Sequence, residues 1–206
     1  MTTEIELKLS IAAKEVTVFL QQPILLGADE AQRNLLWSCY FDTSTLDLMH
    51  QHAALRIRRA GEMWIQTIKI GGTVIDGMHT RPEWEIVIPD NTLCPALFTE
   101  PVVCALLSPD VIQRLQPVFQ TEFWRTTWCV THEGSRIEIA LDQGNVSSLE
   151  YSESICEVEL ELKSGAAAAL TSLAQRLSQH ITLTPDSISK AQRGYALYQM
   201  HGANPA

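Results

Sequence analysis

The sequence predicts an α+β fold in which eight antiparallel strands close into a barrel with a charged lumen and helices surround it. The main observation is that six short segments carry charged residues at every second position, with mostly apolar residues between them. A second observation is that helical segments punctuate this strand pattern. Because alternate side chains of a strand face opposite sides of a sheet, each segment has one charged and one apolar face. The six segments are Glu4–Lys8, Leu55–Arg58, Ile68–Ile70, Glu83–Ile86, Ile137–Asp142 and Glu157–Leu162.

Closure of the sheet follows from the need to protect its edges. An open antiparallel sheet leaves unpaired backbone groups at both edge strands, and closing the sheet removes both edges. The apolar faces, such as that of Ile5, Leu7 and Leu9, can then pack outward against helices. The charged faces would line a water-filled interior, because in a dry one each unpaired ion would cost several kcal/mol.

Strand patterns account for most of the chain, and turn residues separate them. Gly71-Gly72 predicts a tight hairpin turn, since such turns need positive φ. Asp76-Gly77 predicts a bend or bulge inside one long strand, and Glu133-Gly134 predicts another hairpin. The eight predicted strands are residues 4–9, 36–42, 53–59, 63–70, 73–88, 123–131, 135–142 and 154–162.

Helical spacing predicts four helices. Ala12–Gln22 has the pattern of a short amphipathic helix that Pro23 ends. Residues 89–107 contain three prolines and predict a loop with helical fragments. The remaining helices are one that begins at Pro109 with Ser108 as N-cap, one over Ser164–Ile181 and one over Ser187–Met200.

Size and charge limit the classes of function. The chain has 206 residues and 46% hydrophobic content, which predicts one domain over residues 1–200 and a short tail over 201–206. The net charge of -9 argues against a nucleic acid or an anionic membrane surface as partner. No apolar run approaches the ~20 residues of a membrane span. A local basic cluster can still bind a small anion, so we expect a small anionic substrate and a monomer or weak homodimer.

Cysteine usage predicts a reducing compartment. The five cysteines are an odd number, have no CxxC spacing and include several in strand-like segments. A buried free thiol behaves as a small hydrophobic group, so a disulfide framework is not expected. The charged first strand is also unlike a signal peptide. We therefore expect a cytoplasmic protein.

The charged faces themselves indicate a ligand. Carboxylates bind hard cations, whereas Arg and Lys bind phosphate oxygens, so both together suit a metal–polyphosphate complex. Any single segment is more often the solvated face of a one-sided sheet. However, Glu runs without interleaved Lys, and Arg56, Arg58 and Lys69 on two strands, favour separate metal-binding and phosphate-binding patches.

Other candidate motifs predict structural roles. His50 and His52 form an HxH pair, but their predicted loop makes exposed polar residues the simpler reading. Serine nucleophile motifs and glycine-rich phosphate loops are absent from the sequence. The tryptophans that alternate with charged positions are expected to pack in the core; they are Trp64, Trp84, Trp124 and Trp128.

The order of the charged residues resembles a known family. Glu4-x-Glu6-x-Lys8 resembles the ExExK signature of the CYTH superfamily, also called triphosphate tunnel metalloenzymes. A lone ExExK is weak evidence, but the complete series in this order is specific. It continues with Arg56-x-Arg58, Lys69, Glu83-x-Glu85, Arg125, Glu138 to Asp142, Glu157-x-Glu159 and Lys190.

The resemblance implies metal-dependent hydrolysis of inorganic triphosphate to diphosphate and phosphate inside the tunnel, with Mg²⁺ or Mn²⁺ as cofactor. Alternatives are a thiamine or nucleoside triphosphate substrate, a class IV adenylyl cyclase, or a non-catalytic polyphosphate-binding module. The cyclases in this superfamily tend to have a His-Phe pair upstream of ExExK, and Met1-Thr2-Thr3 lacks it. The acidic set favours metal chemistry over binding alone.

Roles for individual residues also follow from the resemblance. The expected metal ligands are Glu4, Glu6, Glu138, Glu157, Glu159 and Glu161. The expected substrate-binding residues are Lys8, Arg56, Arg58, Lys69, Arg125, Lys190 and Arg193. The expected catalytic residues are Glu4, Glu6, Lys8, Glu83, Glu85 and Asp142.

Overall fold

The computed structural model describes residues 2–202 and contains ten strands and seven α-helices in that range. The strands are β1 (Thr2–Ile11), β2 (Gln32–Asp42), β3 (Ala53–Ala60), β4 (Met63–Ile70), β5 (Thr73–Ile75), β6 (Met78–Ile88), β7 (Gln116–His132), β8 (Ser135–Ser148), β9 (Tyr151–Ser164) and β10 (Leu183–Pro185). The helices are α1 (Val16–Leu20), α2 (Pro23–Leu26), α3 (Asp47–His50), α4 (Pro101–Leu106), α5 (Pro109–Arg114), α6 (Ala168–Leu177) and α7 (Lys190–Gly202). Short 3₁₀ turns lie at Ala13–Glu15 and Pro95–Leu97.

The sheet closes into a barrel through β1. Its strand order is β10-β1-β9-β8-β7-β2-β3-β4-β6-β5, and β1 also pairs with β6. Glu4 lies opposite Arg81 of β6, and Lys8 lies opposite Glu159 of β9. The eight long strands thus form a closed antiparallel ring, while the three-residue strands β5 and β10 are additions to it. The predicted eight-stranded antiparallel barrel is confirmed.

The apolar strand faces pack outward against helices, as predicted. Alternate residues of β1, β8 and β9 meet the apolar face of α6 and the buried residues of α1 and α2 in one cluster. Burial of one such Leu or Ile side chain contributes roughly 1.5–3 kcal/mol, so this cluster is a major source of stability. Its fully buried members include Phe19, Ile139, Val158, Leu160, Leu170, Leu173 and Leu177.

A second cluster covers β3, β4 and β6. Helices α4 and α5 provide Val103 and Val111, which pack with Leu55 and Ile68 of the barrel. Ser108 caps α5 as predicted, because its Oγ accepts a hydrogen bond from the backbone N–H of Val111 at 3.4 Å. The prediction of a loop with helical fragments over 89–107 also agrees with the structure, which has one 3₁₀ turn and α4 there.

The hairpin between β5 and β6 differs from the prediction. Residues 73–88 form two strands, and Asp76-Gly77 is the two-residue turn between them, with φ values of 49° and 79°. Gly71-Gly72 does not close a hairpin, because β4 and β5 each pair with β6 instead of with each other. The two glycines provide the positive φ at which the chain passes from β4 to β5. The predicted hairpin at Glu133-Gly134 is confirmed.

Helix boundaries also differ. Residues 12–22 form a 3₁₀ turn and the five-residue α1, and Pro23 begins α2 instead of ending a helix, since proline is favoured at the first helical position. Ser164 ends β9, so α6 begins four residues later than predicted. Helix α7 continues to Gly202, and the rest of the predicted tail, 203–206, lies outside the described residues.

The tryptophans divide between core and surface. Trp84 and Trp128 are buried as predicted, at 6% and 7% exposure. Trp124 is 42% exposed, which contradicts the prediction, and the Arg33 guanidinium lies 4.4 Å from its ring centroid. An arginine over an indole face is a favourable partner at an exposed site. His50 and His52 are exposed. No helix in the described part of the chain is long and apolar enough to cross a membrane.

Gly144 provides a test of the barrel packing. A Cβ at this position would lie 2.2 Å from the Glu122 carbonyl oxygen and 2.4 Å from Phe123 Cα, both in the backbone of β7. We expect Gly144→Ala to lower the free energy of unfolding by about 3 kcal/mol, because the two strands would have to separate. Urea denaturation measures this change. The control Gly27→Ala, whose Cβ would lie 3.4 Å from the Pro23 oxygen, should change it by less than ~0.5 kcal/mol; equal effects would contradict the argument.

Candidate functional site

A cavity of about 80 Å³, partly open to solvent, is lined by residues of seven of the eight barrel strands and the start of α7. Its lining includes seven basic side chains, which are Lys8, Arg56, Arg58, Lys69, Arg81, Arg125 and Lys190. Three carboxylates, from Glu4, Glu6 and Glu159, complete the charged lining. The cavity is therefore mainly basic in a chain whose net charge is -9. Such a local excess of cations favours an anionic ligand.

Strand alternation brings these residues to one face. On β3, Arg56 and Arg58 border the cavity while Leu55 and Ile57 between and beside them are buried in the outer clusters. Cross-strand register then aligns neighbours, so Tyr40 of β2 lies directly opposite Arg56. Each charged side chain therefore reaches the cavity because its strand has a regular two-residue period.

One end of the charged set is organised around Lys190. Its Nζ lies 2.5 Å from Asp142 Oδ2 and 2.9 Å from Glu159 Oε1, and it also contacts Glu157. Arg125 binds Asp142 through two hydrogen bonds of 2.7 and 2.6 Å and contacts Glu159 as well. The side chains of Asp142 and Glu157 are fully buried. Three carboxylates thus share Lys190 and Arg125 in a largely buried space, and Arg193 Nη2 also lies 3.4 Å from Glu157.

The pKa values of this group reflect burial opposed by charge. Burial by itself raises the pKa of Glu159, but Lys190, Arg125 and Lys8 outweigh it and hold that pKa well below its usual range. Burial likewise lowers the pKa of Lys190, and the surrounding carboxylates more than reverse this. For Glu157 the balance is opposite: burial, reinforced by Glu159, raises its pKa despite the nearby lysines.

The arginines of β3 are held differently, by hydroxyl groups. Arg56 Nη1 donates to Tyr40 Oη at 3.3 Å, and Arg58 Nε donates to Ser38 Oγ at 3.1 Å. The carboxylates nearest to Arg56, from Glu83 and Glu85, are both 3.9 Å away. Among residues 2–202, Arg58 has no carboxylate within 4.0 Å. Burial, reinforced by the charges of Arg56 and Arg125, lowers the pKa of Arg58 to about 10.

Ion pairs also cross the rest of the cavity. Lys69 Nζ lies 2.5 Å from Glu4 and 3.4 Å from Glu83, and Arg81 Nη2 lies 3.3 Å from Glu6. Acidic and basic residues are therefore interleaved on β1, β4 and β6, where the predicted separation into two patches is wrong. The reason is closure, which places the acidic β1 beside β6 and brings Glu4 to Lys69 of β4.

Lys8 has a partner outside the sheet. Its Nζ donates a hydrogen bond of 2.9 Å to the carbonyl oxygen of Ile188, in the segment that leads into α7. Lys8 is only 1% exposed, and burial lowers its pKa although Glu157 and Glu159 act in the opposite direction. Lys8 thus borders the cavity and also anchors the segment that carries Lys190.

Five residues of the predicted set do not line the cavity, in addition to Asp142 and Glu157. Glu138 and Glu161 pair with Lys163 at 3.4 and 2.8 Å, and Arg193 pairs with Asp186 at 2.5 Å. Glu83 and Glu85 share the face of β6 that carries Arg81 but lie outside the cavity lining, and the half-exposed Glu85 accepts a hydrogen bond from Thr67 at 3.1 Å. The structure therefore brings together Glu4, Glu6, Lys8, Arg56, Arg58, Lys69, Arg125, Glu159 and Lys190.

Sequence reasoning missed several polar residues of the site, among them Thr67 and Ser189 of the cavity lining. Arg81 lines the cavity and receives support from His79 Nδ1, 3.0 Å from its Nη2. It stands two residues before Glu83, so extending that alternating pattern by one step would have found it. Tyr40 and Ser38 carry no charge, and only their register with β3 shows that they support its arginines.

The carboxylates offer a place for a metal ion. Oxygens of Asp142, Glu157 and Glu159 lie within 4.8 Å of one another, a cluster that could hold a divalent cation. The same oxygens contact Lys190 and Arg125, which already balance much of their charge. Hard cations such as Mg²⁺ prefer oxygen ligands, and the donor set fits that preference.

Together, the fold and the site define a closed antiparallel β-barrel with a predominantly basic, ion-paired cavity. The model of the CYTH domain matches residues 2–195, and the chain belongs to the CYTH family. It is 35% identical over 205 residues to the inorganic triphosphatase of Haemophilus influenzae, a match that covers 96% of this chain and 55% of the relative. The chain thus spans about half the length of this curated relative.

Solved structures share the fold at low sequence identity. HpAC1 from Hippeastrum, a protein with a dominant triphosphatase activity, has a TM-score of 0.70 and 17% identity, with 96% of this chain and 95% of that one covered. A protein of Pyrococcus horikoshii has a TM-score of 0.61 and 19% identity, with 94% and 98% covered. At these identities the likeness concerns the barrel alone.

Removing the Lys190 ammonium tests the electrostatic balance. We expect Lys190→Met to lower the free energy of unfolding by about 3–5 kcal/mol near neutral pH, because three buried carboxylates lose their shared cation. The low folded pKa of Glu159 stabilises the wild-type fold above the unfolded carboxyl pKa. Without Lys190 the pKa values of the carboxyls in the folded variant rise above those in the unfolded chain, so the variant gains stability as pH falls. The stability difference between wild type and variant should therefore shrink from about pH 8 to about pH 5. Urea denaturation at each pH measures it.

The matched control is Lys163→Met. Lys163 is 40% exposed and also bridges two carboxylates, so its loss should cost less than ~1 kcal/mol at either pH. A deficit for Lys190→Met that is small, or that grows as pH falls, would contradict the charge balance described above.

Proposed function

We propose that this chain hydrolyses inorganic triphosphate to diphosphate and phosphate with the help of a divalent cation, Mg²⁺ or Mn²⁺. Support comes from the 35% identical relative, an inorganic triphosphatase, and from the basic cavity. The five free cysteines fit a reducing compartment, so we also propose a cytoplasmic location.

The observation that carries the proposal is that arginines of the cavity have hydrogen-bond donors and charge without partners in the protein. Arg58 has no carboxylate partner among the described residues, although it borders the charged cavity. The Nε atoms of Arg56 and Arg81 are buried and have no hydrogen-bond acceptor there. A buried donor without a partner is costly, so these groups are expected to receive oxygens from a ligand. A linear triphosphate supplies many anionic oxygens along its length.

The proposed metal ligands are Glu159, which belongs both to the cavity lining and to the carboxylate cluster, and the other two lining carboxylates, Glu4 and Glu6. Glu4, Glu6 and Glu159 border the cavity, whereas Asp142 and Glu157 are buried behind it against Lys190. Mg²⁺ usually takes one or two carboxylates and completes its shell with phosphate oxygens and water. When bound, such an ion neutralises phosphate charge and lowers the pKa of a coordinated water.

The protein residues mainly position charge, which is what phosphoryl transfer requires. Arg56 and Arg58 can bind non-bridging oxygens in bidentate fashion. Arg125, whose Nε and Nη2 are held by Asp142 and Glu159, contributes its charge, as Lys69 and Lys190 do. Water attacks the terminal phosphorus and forms the new P–O bond while one of its protons passes to bulk solvent. The bridging P–O bond breaks, and its electron pair leaves with the diphosphate. The developing negative charge stays within reach of the same cations.

Three carboxylates outside the cavity lining have a supporting role in this proposal. Glu83 contacts both Lys69, at 3.4 Å, and Arg56, at 3.9 Å, and so keeps two cavity cations in place. Glu85 extends the same arrangement through Arg56 and Thr67. Asp142 does the same for Arg125 and Lys190. We therefore assign Glu83, Glu85 and Asp142 as positioning residues.

A substrate panel tests the function directly. Phosphate release from tripolyphosphate, thiamine triphosphate and ATP should be fastest with tripolyphosphate in Mg²⁺ or Mn²⁺ and should stop with EDTA. Formation of cyclic AMP from ATP would instead identify a cyclase. Binding of tripolyphosphate without any phosphate release would identify a binding module.

Adjacent arginines provide a matched pair of variants. Arg58→Ala should lower kcat/KM for tripolyphosphate by about 100-fold or more, because one charged bidentate contact contributes roughly 3 kcal/mol in a largely buried site. Arg59→Ala is the control: Arg59 is exposed, and its Nε donates to the Gly61 carbonyl oxygen. The kcat/KM of Arg59→Ala should stay within ~2-fold of the wild-type value. Similar activity of the two variants would count against Arg58 as a substrate-binding residue.

A further inference from the structure

His79 is a buried polar side chain that the proposed reaction does not use. It lies on β6 two residues before Arg81, so both side chains share one face of the strand. Its exposure is only 1%, and it does not line the charged cavity. A buried imidazole needs a partner for each of its two nitrogens, and the partners of His79 indicate what the ring does.

The two hydrogen bonds of His79 define its protonation state. Arg81 Nη2 lies 3.0 Å from Nδ1, and a guanidinium can only donate, so Nδ1 is the acceptor. Nε2 lies 3.2 Å from the carbonyl oxygen of Asp186, which can only accept, so Nε2 carries the proton. The ring is therefore neutral and in its Nε2–H form. Burial, reinforced by the charge of Lys8, lowers the pKa of His79 and favours the same form.

The bond to Asp186 holds the ring in place. The N–H of Asp186 donates to the Lys8 carbonyl oxygen at 2.9 Å, so His79 contacts a segment that is itself bound to β1. The backbone of His79 pairs with β1 on one side and with β5 on the other. Because both the backbone and the ring are fixed, Nδ1 has a defined direction toward Arg81.

Arg81 has few other groups that could set its direction. Its Nη2 has two hydrogens, which Glu6, at 3.3 Å, and His79 accept. Glu6 is also a proposed metal ligand, so its oxygens do not serve Arg81 alone. Nδ1 of His79 has Arg81 as its one partner among residues 2–202. Arg81 lines the cavity, and its buried Nε has no partner in the same range, so this N–H remains for a ligand.

We propose that His79 is a positioning residue whose Nδ1 holds the Arg81 guanidinium toward an oxygen of the bound triphosphate. This inference rests on the proposed function. His79 acts only through Arg81 and does not touch the substrate. As a neutral acceptor it fixes the direction of the guanidinium and leaves its charge available to phosphate, whereas a carboxylate in the same place would neutralise that charge.

Two amide variants separate the two bonds of the ring. Asparagine places an acceptor oxygen near the position of Nδ1, whereas glutamine places a donor amide near that of Nε2. His79→Gln loses the contact with Arg81 and should lower kcat/KM for tripolyphosphate about 10-fold or more, the effect of one hydrogen bond to a charged group. The conservative variant His79→Asn retains that contact and should stay within ~3-fold of wild type. A purely structural bond to Asp186 predicts the opposite order.

A double-mutant cycle shows whether the effect passes through Arg81. In the wild-type background, His79→Gln should raise the Kd of a non-hydrolysable imido analogue of tripolyphosphate about 10-fold. In the Arg81→Ala background the same change should alter Kd by less than ~2-fold, because the positioned group is already absent. Isothermal titration calorimetry measures both effects.

His132→Gln is the matched control. His132 is a histidine outside the cavity lining, and its Nε2 lies 3.0 Å from Ser172 Oγ. Its replacement should leave Kd for the imido analogue within ~2-fold of wild type. Equal losses for His79→Gln in both backgrounds, or a loss in His79→Asn as large as that in His79→Gln, would overturn the assignment.

A measurement on the wild type does not depend on the folding of variants. Imidazole ¹⁵N shifts distinguish the two neutral forms and the imidazolium for each of the six histidines. At about pH 7.5, His79 should be in the Nε2–H form with and without the imido analogue, and any other form would refute the acceptor role. If the wild type releases no phosphate from tripolyphosphate, the proposed function fails. If it is active and His79→Gln has no effect that depends on Arg81, only this inference fails.

Discussion

The pairing of β1 on both sides is the constraint on which the rest of the structure depends. Residues 2–7 pair with β6 and residues 6–10 pair with β9, so one strand joins the two ends of the sheet. Closure then divides every strand into an inner and an outer face. Charged side chains on the inner face lose access to bulk water and must find partners across the cavity. The ion pairs are thus a consequence of topology as much as of sequence.

The cations of the cavity fall into two groups according to their partners. Lys190 and Arg125 contact buried carboxylates, which satisfies them in the absence of a ligand. Arg56 and Arg58 are oriented by the hydroxyls of Tyr40 and Ser38, which fix geometry without neutralising charge. A carboxylate partner stabilises the fold, but it also competes with an anionic substrate. Hydroxyl partners avoid this competition, so the proposed triphosphate contacts fall first on the two arginines of β3.

How far the sequence predicts the structure depends on the range of the interaction. The two-residue period of a strand is local, so the barrel faces and most cavity residues, such as Arg56 and Glu4, could be predicted from spacing. Register across strands is not local. It decides that Asp76-Gly77 turns the hairpin instead of Gly71-Gly72, and that Glu161 meets Lys163 instead of the cavity. Uncharged partners such as Tyr40 also give no signal in a search for charge.

The site is completed by a segment far from the sheet pattern. Asp186 receives a hydrogen bond at its carbonyl oxygen from His79 and donates its N–H to the Lys8 carbonyl, at 3.2 and 2.9 Å. Lys8 Nζ then binds Ile188, two residues before Lys190. The ExExK strand therefore does more than present charge, because its lysine fixes the start of α7. The barrel alone would leave the buried carboxylates of Asp142 and Glu157 without the Lys190 ammonium. The packing of α7 against the barrel supplies that ammonium, which compensates for the cost of burying the two carboxylates.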